Sequence, residues 1–199
     1  MARRSIVWVK EEHGANEFAD VDIWRGRLTA VGTAIGSYPV GYRLDYKLET
    51  RDRYVTSGLL VEARGAGWRR KLDLRRLLSG RWSVRTSARG DVDLPRPGGD
   101  MAAFKDALDC DLALSPLTNS MPVLRHNLLE GGGPVELLMA WVSVPDLRVL
   151  PSAQRYRFVR REGDLSIIRY ESSSRDFIAD LSFDQDGLCL AYPGIGRAV

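Results

Sequence analysis

Tyr42-Arg43-Leu44-Asp45-Tyr46-Lys47-Leu48-Glu49 alternates apolar and charged residues without a slip. On a β-strand that spacing places Tyr42, Leu44, Tyr46 and Leu48 on one face and the charges on the other. A helix would scatter the same four side chains around its circumference. Working outward, the period of two recurs. Val55, Ser57, Leu59, Val61 and Ala63 share a face, and so do Trp68, Arg70, Leu72 and Leu74. Trp82 and Val84 oppose Ser83 and Arg85. Farther on, Tyr156 and Phe158 sit between arginines, then come Leu165 and Ile167. Phe177, Ala179, Leu181 and Phe183 alternate with Ile178, Asp180, Ser182 and Asp184. Gln185-Asp186-Gly187 then predicts a hairpin turn into Leu188, Leu190 and Tyr192.

Two stretches break the alternation. VELLMAWVSV, residues 135–144, is almost continuously apolar, bounded by Gly131-Gly132-Gly133-Pro134 and by Pro145. It predicts a strand covered on both faces. Asp100 followed by Met101-Ala102-Ala103-Phe104-Lys105-Asp106-Ala107-Leu108 predicts two helical turns capped by the aspartate. RGDVDLPRPGGD, residues 89–100, predicts a long exposed loop at a place where a half-way boundary would fall. Many short strands with so little helical text predict a mainly β fold. The expected form is a single-domain curved antiparallel sheet, or half-open β-barrel, spanning residues 1–199 with few short helices.

The chain has 199 residues, 44% of them apolar, enough for a sizeable core, and 28% charged. Net charge is +3, with 29 basic residues of which 25 are arginine. Between Glu62 and Arg89 nine basic residues face two acids. Such a stripe can bind phosphates, but on alternating strands arginines ordinarily form the wetted face. No nucleic-acid reader motif accompanies it, and no nucleic-acid partner is expected. Cys110 and Cys189 are the only cysteines, both in apolar alternating text where cysteine acts as a small buried side chain. MARRSIVWVKEEHGANEF begins basic but lacks the apolar core of a signal peptide, and no apolar run reaches membrane-spanning length. A cytoplasmic protein without an integral membrane segment is the expectation. Oligomeric state is open.

No catalytic or metal motif stands out. His13 and His126 lie in no metal spacing, the glycine triplet precedes a proline and a strand rather than a helix, and Asp184-Gln185-Asp186-Gly187 lacks the further ligands of a calcium loop. No cofactor is expected. Asp91/Asp93 fall in the exposed loop. Asp109/Asp111, also two apart, place two carboxylates on one face of a strand, an arrangement that suits acid/base or cation chemistry.

That second pair opens DCDLALSPLTNSMPVLR, residues 109–125. Here Cys110, Leu112 and Leu114 read as one strand, Pro116 ends its pairing, Thr118-Asn119-Ser120 form a polar corner bonding its own backbone, and Pro122 restarts an extended chain. The stretch resembles the bacterial putative glycolipid-binding family, whose pattern runs D-V-D and then T-P-x-T-N-T-L-P-I-R-R-L. Here the pattern is Asp109-Cys110-Asp111, then Ser115-Pro116-Leu117-Thr118-Asn119-Ser120-Met121-Pro122-Val123-Leu124-Arg125-His126. Gln154-Arg155-Tyr156, Tyr170-Glu171-Ser172, Asp186-Gly187-Leu188 and Tyr192-Pro193-Gly194 are also similar. Trp8 with Gly14 and Glu17 fits loosely. Leu124 replaces one of the family's paired arginines and His126 replaces a leucine, which implies a weaker grip on an anionic head group.

The resemblance implies a barrel-like fold similar to lipoprotein carriers and a lipid or glycolipid ligand. The expected binder buries an apolar group against Tyr46, Trp141 and Tyr192. It meets the head group with Asp109, Asp111, Thr118, Asn119 and Arg125. A plainer reading has Thr118 and Asn119 bonding backbone and Arg125 pairing with an aspartate. The alternative function is an enzyme, a hydrolase or transferase acting on a lipid or sugar with an aspartate base.

Overall fold

The computed structural model describes residues 2–10 and 15–199. His13 and Gly14 lie outside them. The first half of the chain is an antiparallel meander of seven strands: β1 (Ala2–Val9), β2 (Asn16–Trp24), β3 (Arg27–Gly36), β4 (Tyr42–Thr50), β5 (Thr56–Gly65), β6 (Trp68–Arg76) and β7 (Trp82–Arg89). The second half adds β8 (Asp109–Leu112), β9 (Val135–Val142), β10 (Val149–Glu162), β11 (Leu165–Ser172), β12 (Phe177–Phe183), β13 (Cys189–Tyr192) and β14 (Gly196–Ala198). Pairing of β14 with β1 joins the halves into one sheet of 14 strands. The edges, β7 and β8, do not pair, so the sheet is curved but not closed. β8 runs parallel to β9, whereas the other ladders are antiparallel.

The inward faces follow the alternation. Tyr42, Leu44, Tyr46 and Leu48 are all buried. The large rings of β4 lie over glycines of β3: a Cβ on Gly32 would meet the Tyr46 ring at 2.3 Å, and one on Gly36 would meet the Tyr42 ring at 2.5 Å. The outward charges pair across and along strands. Arg64 reaches Asp45 at 3.0 Å, Lys71 reaches Glu62 at 2.7 Å and Arg75 reaches Asp73 at 2.6 Å. Much of the basic stripe is thus a salted outer face, while Arg70 points inward and is buried.

The glycine- and proline-rich loop is a connection between the two sheet edges. Arg70 ties it down by donating to the carbonyls of Leu94 (2.8 Å), Asp146 (3.2 Å) and Pro95. Gly98 bridges to the strip before β10, donating to Leu147 at 2.9 Å and accepting from Val149 at 3.0 Å. The chain then enters the open mouth of the sheet. Strand β8 is buried at all four positions. Its Cys110 and Leu112 join the core formed by β1–β7, whereas Asp109 and Asp111 face the second core formed by Tyr156, Ile168, Tyr170 and Leu181. The end of the sheet is therefore rolled inward, which covers β9 at Met139, Ala140 and Val142, whereas Glu136 is exposed and Val135, Leu137 and Leu138 are half-buried.

Four local expectations are corrected. The turn after Asp100 is a 3₁₀ segment, Met101–Phe104, capped by Asp100 Oδ1 accepting from the Ala102 N–H at 2.9 Å. Leu114 does not extend the strand, because it adopts φ +62° and turns the chain. Pro122 lies inside a short helix, α1 (Ser120–Arg125), in the first turn, where no N–H is required. A register shift between Glu49 and Thr50 turns Thr56 inward in place of Val55 and Ser57.

Candidate functional site

Two hollows open at the end of the sheet where β3, β8, β11 and β13 stop. The first, about 210 Å³, is lined by Asp111, Leu114, Trp141, Arg175, Phe177 and Tyr192. The second, about 280 Å³, is lined by Lys10, Pro39, Tyr42, Leu114, Val144 and Gly194. Leu114 and Ile195 line both, so the two hollows adjoin as neighbouring lobes at the mouth of the sheet. The φ of +62° at Leu114, which borders both lobes, is costly for a leucine. A wider groove of about 480 Å³, lined by Glu136, Leu138, Arg155 and Glu171, is a shallow surface feature open to solvent.

The first lobe combines aromatic walls with a fixed polar rear. Tyr170, Phe177 and Tyr192 form a cluster with ring centroids 5.7–6.2 Å apart. The Arg175 guanidinium lies 5.1 Å from the Trp141 ring centroid, donates to the Tyr170 hydroxyl and approaches Asp111 Oδ2 at 3.8 Å. Burial, and then the Asp111 charge, pushes the Tyr170 phenol up to about 12, so it stays protonated. The Trp141 indole N–H is buried and has no hydrogen-bond partner. An orphaned donor of this kind costs free energy unless something accepts from it.

Asp111 is held from behind. Thr118 donates to its Oδ1 at 2.9 Å and Gln154 to its Oδ2 at 2.6 Å. Tyr156 O–H lies 2.9 Å from both Asn119 Oδ1 and Gln154 Oε1 and donates its one proton to either. Asn119 Nδ2 donates to the Pro116 carbonyl at 3.2 Å. Asp109 is one layer deeper, in a fully buried ion pair. Arg125 grips both its oxygens, one at 2.6 Å, with side-chain exposures of 2% and 1%. Burial pushes the Asp109 carboxyl above its ordinary value, and the Arg125 fork pulls it back. His126, half-buried beside Arg125, is lowered by burial and by that charge.

The second lobe backs onto another buried network. Glu17 accepts from Tyr46 at 2.8 Å and from Ser115 at 2.6 Å, and Lys10 Nζ lies 3.3 Å from its other oxygen. Burial, reinforced by Glu17, holds the Tyr46 phenol well above its ordinary value and pushes Tyr42 up to about 12.

Of the residues singled out from sequence, Asp111, Trp141 and Tyr192 line the cleft. Asp109, Thr118, Asn119 and Arg125 form the scaffold behind it, and Tyr46 reaches it through Glu17 and Ser115. Arg175, Phe177, Leu114 and Ile195 line the cleft as well, and the sequence reading does not single them out as site residues. Gln154 had a readable signal, a polar residue at an inward position beside Tyr156. Arg175 had none, since it follows three serines outside any periodic run. Among the described residues no His/Cys/Asp/Glu cluster could hold a metal, both cysteines are buried and free, and no helix is long and apolar enough to cross a membrane.

The model of a family described as putative glycolipid-binding matches residues 5–198. A crystal structure of a DUF1089 family protein from Pseudomonas aeruginosa is similar with a TM-score of 0.69, at 23% identity over 92% of each chain, a likeness of fold. No curated protein matches the chain.

Proposed function

The chain belongs to the family described as putative glycolipid-binding, and from that premise we propose that the two-lobed cleft holds a glycolipid non-catalytically. The sugar occupies the lobe of Asp111, Trp141, Arg175 and Tyr192, and the first part of the apolar tail follows the lobe of Pro39, Tyr42 and Val144. The observation that carries this reading is a lobe walled by Trp141, Phe177 and Tyr192 with Asp111 and Arg175 beside them. A sugar offers an apolar ring face for the aromatics and hydroxyls for Asp111 and Arg175. Charge supports a neutral head group. In the first lobe Asp111 balances Arg175, and in the second Glu17 balances Lys10. The remainder of the interior is packed by the chain's own side chains, so the apolar tail leaves along the mouth.

Asp109, Arg125, Thr118 and Asn119 act here as positioning residues. They fix Asp111 and the 3₁₀ segment Pro116–Asn119 so that the lobe is preformed.

The test is a thermal titration with short-chain alkyl glycosides and with the same chains lacking sugar. Binding at a hundredfold excess over Kd stabilises by about 2.7 kcal/mol, or roughly 5–10 °C for a chain of this length. Sugar-dependent stabilisation that is lost in Trp141→Ala supports the reading. Equal response to the sugar-free chains refutes it. Saturable turnover abolished by Asp111→Asn would replace it with an enzyme acting on a lipid or sugar.

A further inference from the structure

The opposite end of the sheet carries a second feature, independent of the cleft. Strands β2, β4 and β6 run in the same direction in the meander, so the three connections that follow them cluster at one end. Hydrogen bonds tie these connections together. Tyr54 N–H donates to the Gly26 carbonyl at 2.8 Å, Arg27 pairs with Asp52 at 2.8 Å, and Arg51 donates to the Arg76 carbonyl. The tip therefore presents one surface.

Its chemistry is unusual for a sheet end. Leu78 is 92% exposed, Leu77 41% and Trp24 49%. The Leu77–Arg81 turn that projects the leucines is tight, with Leu77 N–H donating to Arg81 at 2.8 Å and Gly80 N–H donating to Leu77 at 2.9 Å. Around them stand Arg25, Arg27, Arg53 and Arg81, all exposed, with two acids beside them: Asp52, paired with Arg27, and Asp22, paired with Arg3. Arg25 covers the Trp24 ring at 4.7 Å, and Arg53 is held at the tip by two successive left-handed residues, Arg53 (φ +60°) and Tyr54 (φ +58°).

We propose that this end docks on a lipid bilayer that carries anionic head groups. Each component has a place there. Leucines on a convex tip enter the acyl boundary, tryptophan settles at the interface, and arginines meet the lipid phosphates. Polyphosphates and nucleic acids complement the arginines but give the protruding leucines nothing to enter. A protein partner would need a pit shaped for Leu78, whereas a bilayer deforms around it. Strand β3 runs from Arg27 at this tip to Gly36 at the cleft, so ten residues, about 30 Å of strand, separate the two. Docked in this way, the protein holds its cleft away from the membrane plane.

Vesicle co-flotation of the whole protein tests the proposal, using phosphatidylcholine with and without phosphatidylglycerol. Binding is expected to the anionic vesicles and to weaken with salt. Arg53→Gln and Arg81→Gln each reduce partition about fivefold. The pair Leu77→Ser and Leu78→Ser reduces it at least about tenfold, with the melting temperature unchanged. Three results overturn the proposal: no flotation with anionic vesicles, flotation indifferent to the leucine substitutions, or tighter binding to duplex DNA than to vesicles. The cleft plays no part in this assay, so its outcome is independent of the glycolipid reading.

Discussion

Replacing Asp109 by Asn strands the Arg125 guanidinium, whose side chain is 2% exposed, against a neutral amide. Arginine cannot escape by losing its proton, and Arg76 adds a like charge nearby. Removing one partner of a buried pair costs about 3–5 kcal/mol. For a chain of this length each kcal/mol lowers Tm by about 2–4 °C, so a loss of roughly 6–20 °C is expected. The reverse substitution, Arg125→Met, is milder, because a carboxyl that burial already pushes upward can take a proton. Its folded pKa then lies above the unfolded value, so its penalty is largest at neutral pH and shrinks as pH falls through that raised value. Combining Asp109→Leu with Arg125→Met removes both charges and should recover most of the loss. Differential scanning calorimetry of the four proteins at pH 7 and pH 5 reads all of this. An Asp109→Asn variant that melts with the parent, or a double variant as unstable as the two single losses added, would refute the buried-pair argument.

The remaining predictions concern the scaffold. Gly32→Ala places a methyl 2.3 Å from the Tyr46 ring and should destabilise by about 1–3 kcal/mol in urea unfolding, with Gly41→Ala, which meets nothing within 4 Å, as the control. Arg70→Met frees the loop carbonyls of Leu94 and Pro95, and limited proteolysis should then cut residues 90–100 first while the parent resists. The outer-face carboxyls of Glu49, Glu62 and Asp180 sit below their ordinary values, chiefly through hydrogen bonds to Lys47, Lys71 and Arg169, and Asp45 does so because desolvation, its largest single influence, is outweighed by Thr33, Arg43 and Arg64 together. Their contribution is present above the unfolded carboxylate range, about pH 4, and is lost as pH falls through the lower folded values. Melting should decline modestly from pH 7 to 5, as His126, held below its ordinary value, takes its proton first in the unfolded chain, and more steeply below about pH 4, with high salt flattening the second change.

How much could be read from sequence depended on whether one periodicity governed a segment. From Tyr42 to Glu49 one face is core and the other water, so alternation stated both the strand and its inward residues. The same logic worked at Phe177–Phe183 and at the Asp184 turn, where Asp184 Oδ1 accepts from the N–H groups of Asp186 and Leu188. It failed inside the mouth of the sheet. Residues 109–125 are mostly buried whichever way they point, so burial leaves no stripe, and Pro122 fits a first helical turn as well as an extended chain. The same inward roll hides the roles of Asp109 and Asp111. As text both are acids on a strand, yet one is sealed against Arg125 and the other borders the cleft. Arg175 enters the site through a turn that no local pattern marks.

The most direct test is an ¹⁵N-resolved NMR titration of the five tryptophan indoles with a short-chain alkyl glycoside. The indole N–H of Trp141, assigned by its disappearance in Trp141→Phe, should move saturably while those of buried Trp8, Trp68 and Trp82 stay in place. Shifts confined to the other tryptophans, or none at saturating ligand, would contradict a glycolipid seat in this cleft.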